Sequence, residues 1–123
     1  MKLAGIFQVI DWQESDVDLL TNETKITHAI VQQTYKGDLV GTSTVHYLLY
    51  YDKEGNAAFN GLEIFKHESN EENTLVIRHE GRFKDGIASS TFSIINCEYN
   101  RDMIGKTGSF KSIEGQKSTY LIE

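Results

Sequence analysis

Two residues of this 123-residue sequence have side chains suited to acid–base work and lie where a strand pattern would bring them together: Glu63 and His79. Around His79, alternation puts Leu75, Ile77, His79, Gly81 and Phe83 on one face of a strand, and Val76, Arg78, Glu80, Arg82 and Lys84 on the other. The charged set must meet water, so His79 points inward. Around Glu63, Ala57, Phe59, Gly61, Glu63 and Phe65 share a face, opposed by Ala58, Asn60, Leu62, Ile64 and Lys66. Leu62 and Ile64 make the second set partly apolar too; if the aromatic face is the inner one, Glu63 goes in with it. A buried carboxylate is costly unless paired or protonated. An inward Glu63 beside an inward His79 therefore reads as a general acid/base, as an anchor for the polar end of a ligand, or as a core hydrogen bond completed by Tyr47, Ser43 or a trapped water.

Other groups point away from chemistry. Gly105-Lys106-Thr107 has the look of a phosphate-loop terminus, but Asn100 stands where the earlier glycine belongs, and a strand-like run follows where a helix is needed. His28, His46, His67 and His79 show no close metal-ligand spacing. No Gly-x-Ser-x-Gly elbow presents a nucleophilic serine. Cys97 is the one cysteine and Glu98 follows it, so it reads as a structural thiol with no cation to lower its pKa. No metal ligands and no cofactor are identified.

The elements that would position Glu63 and His79 are strands. β-Branched and aromatic residues alternate with polar ones between glycine-containing turns. The pattern predicts strands over about Lys2–Asp11, Lys25–Tyr35, Leu39–Tyr51, Ala57–Lys66, Thr74–Phe83, Ile87–Cys97, Gly108–Ser112 and Lys117–Ile122. In the first, Leu3, Phe7 and Val9 share a side; in the third, Leu39, Gly41, Ser43, Val45, Tyr47, Leu49 and Tyr51 face in and His46 faces out. Gln13–Glu23 reads as a long acidic loop with room for a helical turn, Glu68–Asn73 as a solvated connection, and Glu98–Lys106 as a loop with one helical turn. Reversals fall at Gly37, Gly55, Asp85-Gly86 and Gly115. Short reversals imply antiparallel neighbours. Eight such strands fit one domain, residues 1–123: an all-β, antiparallel eight-stranded barrel, with a β-sandwich as the alternative.

Composition sets the outer bounds. Eighteen Asp and Glu against twelve Lys and Arg give a net charge of −6, with 39% hydrophobic and 24% charged residues. That is an ordinary globular chain, with no transmembrane stretch, no disulfide scaffold and no basic stripe for nucleic acid. No export signal is read at its start, so the expected location is cytoplasmic. There is no proline, where average usage of about 5% would give roughly six, which suits long paired strands.

Several pieces together resemble the bacterial family known as DUF3224: Gly5-Ile6-Phe7-Gln8-Val9 with Trp12, Gly37-Asp38-Leu39-Val40-Gly41, Tyr47-Leu48, Gly61-Leu62-Glu63, and His79-Glu80-Gly81-Arg82-Phe83 with Gly86 and Ala88. The resemblance implies an allene oxide cyclase-like, lipocalin-like barrel with Glu63 and His79 as interior polar positions, and carries no known reaction. It departs at Cys97–Asp102, where a glycine-rich stretch is expected. Three functions stay open: a barrel binding a small hydrophobic molecule, an isomerase- or cyclase-type enzyme on a hydrophobic substrate, and a non-catalytic interaction protein with a filled core. The candidate ligand-binding residues are Tyr47, Phe59, Glu63, Ile77, His79 and Phe83; Glu63 and His79 are the candidates for catalysis. Barrels of this kind associate through outer faces, so a homodimer is compatible with the resemblance, although no sequence patch marks one. A cavity of a few hundred Å³ would favour the first two functions.

Overall fold

The period-two alternation of the sequence becomes alternation of burial. Ser43, Val45, Tyr47 and Leu49 are buried, while Thr42, His46, Leu48 and Tyr50 face water. The computed structural model describes residues 2–123, Glu71 by its backbone alone. Its strands are β1 (Leu3–Leu19), β2 (Lys25–Gly37), β3 (Gly41–Tyr51), β4 (Ala57–His67), β5 (Asn70–Lys84), β6 (Ile87–Cys97), β7 (Thr107–Ile113) and β8 (Lys117–Ile122). Each strand pairs antiparallel with the next, and β8 returns to β1. The result is the closed eight-stranded barrel that the strand count implied, in place of a sandwich. Among the described residues no helix is long and apolar enough to cross a membrane.

A narrow barrel must find room for its aromatic side chains. Here rings lie across the sheet from glycines: Tyr47 opposite Gly61, Phe59 opposite Gly81, Phe92 opposite Gly108 and Tyr120 opposite Gly5. A Cβ at Gly81 would stand 2.5 Å from the Phe59 ring, and one at Gly61 2.6 Å from the Tyr47 ring. These inward glycines are spaces for rings. The turn at Asp85-Gly86 uses the other property of the residue, with φ of 53° and 81° at the two positions of a tight hairpin.

β1 differs from the expected short strand followed by a loop. It runs on to Leu19, paired with β2 throughout, although it pairs with β8 only over Leu3–Gln8. The acidic run Glu14–Asp18 looks loop-like because half of this arm has a single neighbour and stays wet on both faces; its backbone pairing with β2 is what holds it extended. A bulge at Ile10 also breaks the alternation. Phe7 and Val9 face in before it. After it, Trp12 stands opposite Val31 and Glu14 opposite Ala29, both fully buried positions, so Trp12 and Glu14 turn toward the barrel axis.

The interior has three layers. At one end Leu39, Phe65, Leu75, Ile94, Cys97 and Ile122 pack solidly, with Met103 from the 3₁₀ turn at Arg101–Met103 closing over them. Buried polar groups (Gln33, Ser43, Glu63, His79 and Ser90) cross the middle. The other end is open. The expected connection at Glu68–Asn73 is shorter than its charge suggested, because β5 already begins at Asn70.

Candidate functional site

Register brings Glu63 and His79 together. Glu63 stands opposite Ile77, so His79, two residues along the same face, is its diagonal neighbour. Glu63 Oε1 lies 2.6 Å from His79 Nε2, and Glu63 Oε2 accepts from the Tyr35 hydroxyl at 2.6 Å. His79 Nδ1 lies 3.1 Å from Ser90 Oγ, whose hydroxyl donates to the Thr91 carbonyl. Both ring nitrogens of His79 are thus engaged by buried partners. Ser43 lies beside Glu63 and 3.2 Å from the Gln33 amide.

Burial raises the Glu63 carboxyl pKa, but the hydrogen bond and charge of His79, with Ser43 and Tyr35, outweigh it and hold it below the ordinary glutamate value. Burial, with the charge of Glu63 added, pushes the Tyr35 and Tyr47 phenols well above theirs, so both remain O–H donors. Rings sheathe the pair. Phe92, Phe110 and Tyr47 pack on His79 with centroids at 5.2, 5.5 and 6.0 Å.

The open end holds a chamber of about 330 Å³. Phe7, Gln33, Tyr47, Phe59 and Phe110 form its deeper wall, and Trp12, Tyr51, Phe83, Ala88 and Lys117 surround its mouth. Three of the residues singled out in the sequence, Tyr47, Phe59 and Phe83, are in this wall, with Phe83 half-exposed at the mouth. The other three, Glu63, Ile77 and His79, are buried outside it. The chamber therefore ends on Gln33 and Tyr47, and the carboxylate–imidazole pair lies behind them.

Sequence reasoning missed Trp12, Gln33 and Phe110. Continuing the alternation of β2 through Thr27, Ala29, Val31 and Tyr35 would have placed Gln33 inside. The bulge hides Trp12. Beside it, Glu14 accepts from Trp12 Nε1 at 2.9 Å, and from Thr27 Oγ1 at 2.6 Å and Tyr51 Oη at 2.9 Å, the last two tying the β1 arm to β2 and β3. A larger hollow of about 640 Å³ lies around Gly61, between His28, His46, Leu48, Leu62 and Arg78, reaches Tyr47 and His79 in its floor, and is more open to solvent. Among the described residues no group of three or more His, Cys, Asp or Glu could hold a metal ion.

The model of a family described as "Protein of unknown function (DUF3224)" matches residues 3–123. A solved structure, described as a protein with unknown function from the DUF3224 family of Shewanella oneidensis MR-1, is similar in fold with a TM-score of 0.69. It is 18% identical, and the match covers 99% of this chain and 93% of that one. No curated protein matches.

Proposed function

We propose that this chain, which belongs to the DUF3224 family, is a binding barrel that takes one small, largely apolar molecule into the chamber at its open end. The observation that carries this reading is the chamber itself: about 330 Å³, with seven aromatic side chains among the fifteen residues that line it. That size lies at the lower end of small-molecule sites and suits a two- or three-ring body. At roughly −0.5 kcal/mol per non-hydrogen atom, a ligand of about fourteen such atoms binds with a dissociation constant on the order of 10 μM.

Binding is favoured over catalysis by the placement of Glu63 and His79. A general acid or base must come within hydrogen-bond reach of the substrate. These two are spent on each other, on Tyr35 and on Ser90, and the rings of Tyr47 and Phe110 stand beside them. Their role in this reading is to fix the polar middle layer on which the chamber wall rests.

The test is a titration with the neutral fluorophore N-phenylnaphthylamine. Wild type should bind it saturably at one site. Ala88→Trp fills the mouth without touching the deeper wall, and should weaken binding at least about tenfold while leaving the unfolding midpoint nearly unchanged. No binding to wild type, or equal binding to a folded Ala88→Trp, overturns the reading.

A further inference from the structure

We propose that the ligand carries a neutral carbonyl-type oxygen at its inner end, received by the amide of Gln33 and the hydroxyl of Tyr47. The proposal rests on the binding reading above and names the class of ligand. Gln33 is 3% exposed and Tyr47 5% exposed, and both line the chamber. Ser43 Oγ is the hydrogen-bond partner of Gln33, and the Tyr47 hydroxyl has no partner among the described residues. No enclosed side-chain nitrogen or oxygen of the described residues is left without a partner. Gln33 lines only the chamber, and Tyr47 lines both the chamber and the hollow around Gly61, so each side chain presents polar valence to the chamber wall.

What they offer is donors. If Ser43 donates to the Gln33 carbonyl, both amide N–H groups are free; if Ser43 donates to Glu63 instead, it accepts one of them and the other is free. The Tyr47 phenol, pushed well up by burial and by Glu63, stays protonated. Elsewhere in the wall, Ser112 Oγ is already engaged by the Ala88 N–H at 2.8 Å, and Ser118 adds one hydroxyl on the β8 side. Donors that open onto a largely apolar chamber favour a ligand that brings an acceptor. A neutral oxygen avoids the cost of burying a carboxylate against this inner wall, since Lys117, the one cation lining the chamber among the described residues, stands at the mouth. A ketone, aldehyde, ester or amide oxygen on an apolar body meets both conditions.

Fluorene, fluorenone and fluorenecarboxylate share one ring system and separate these cases. Fluorenone should bind wild type about tenfold tighter than fluorene, as expected for two net hydrogen bonds, and tighter than the carboxylate. Tyr47→Phe and Gln33→Met should each remove about threefold of that preference without weakening fluorene. The carbonyl stretch of bound fluorenone should lie at lower frequency in wild type than in the double variant. Equal affinity for fluorene and fluorenone, a tighter carboxylate, or a preference that survives in the double variant overturns the proposal while leaving the binding reading in place. Failure of all three compounds to bind overturns both. Tyr47→Phe alone keeps the test decisive if Gln33→Met does not fold.

Discussion

Glu63 Oε1 and His79 Nε2 stand 2.6 Å apart with 1% and 2% of their side chains exposed. Tyr35 closes one end of the arrangement and Ser90 the other, so each polar atom of the pair has an assigned partner. The barrel thus carries an ionisable pair at its centre that its chamber does not reach.

Removing one member of such a pair strands the other. His79→Ala and Glu63→Leu are each expected to cost about 3–5 kcal/mol in urea unfolding. The triple variant Tyr35→Phe, Glu63→Met, His79→Phe removes the polar groups together and should recover most of that loss. Single losses below about 1 kcal/mol would show that the pair is not structurally coupled as described.

Acid should expose the same pair. The depressed Glu63 carboxyl stabilises the fold fully above its unfolded pKa of about 4.3, and the contribution disappears as pH falls through the lower native value. Glu14 acts in the same direction: partial burial raises its carboxyl, but hydrogen bonds from Thr27, Trp12 and Tyr51 and the charge of Lys25 outweigh it. The stability gap between wild type and Glu63→Gln should therefore narrow below about pH 4. Unfolding midpoints measured across that range check it; a gap that widens toward acid contradicts the sign.

Gly81 is a space for Phe59. A Cβ there would meet the Ser89 carbonyl at 2.3 Å and the Phe59 ring at 2.5 Å. Gly81→Ala should cost about 1–3 kcal/mol, as overpacking does, and should weaken ligand binding by moving a wall residue. Gly55→Ala, with nothing near its Cβ but a φ of +85°, should affect stability alone.

Glu14 is expected to govern the β1 arm. Glu14→Ala removes two side-chain hydrogen bonds that join the arm to β2 and β3, and a third, from Trp12, within the arm. Amide exchange across Trp12–Leu19 should accelerate while exchange in β3 and β4 stays unchanged. Uniform acceleration throughout the barrel would show that the arm is not a separate local unit.

Much of this architecture is legible in the sequence. Alternation puts His79 inside β5, whose charged outer row leaves only one way to face the strand, and Tyr47 inside β3. In β4, where Leu62 and Ile64 make the other face partly apolar, Phe59 and Glu63 go inside only on the condition that the aromatic face is the inner one. The Asp85-Gly86 turn was equally plain. What alternation could not show was the one extra residue at Ile10, which reverses the phase of β1 and brings Trp12 and Glu14 to the mouth. Nor does pattern alone measure depth along the axis. Ile77, Glu63 and His79 share an inner face with Phe59 and Phe83, yet lie below the chamber, since strand tilt sets which inward residues share a layer.

The most direct measurement is the location of a bound ligand in solution. With N-phenylnaphthylamine bound, nuclear Overhauser contacts should connect it to the Leu49 and Ala88 methyl groups and to the Phe59 ring, all in the chamber wall. Contacts to Leu48 and Leu62 on the outer face instead, or none to the chamber residues, would contradict an interior binding site.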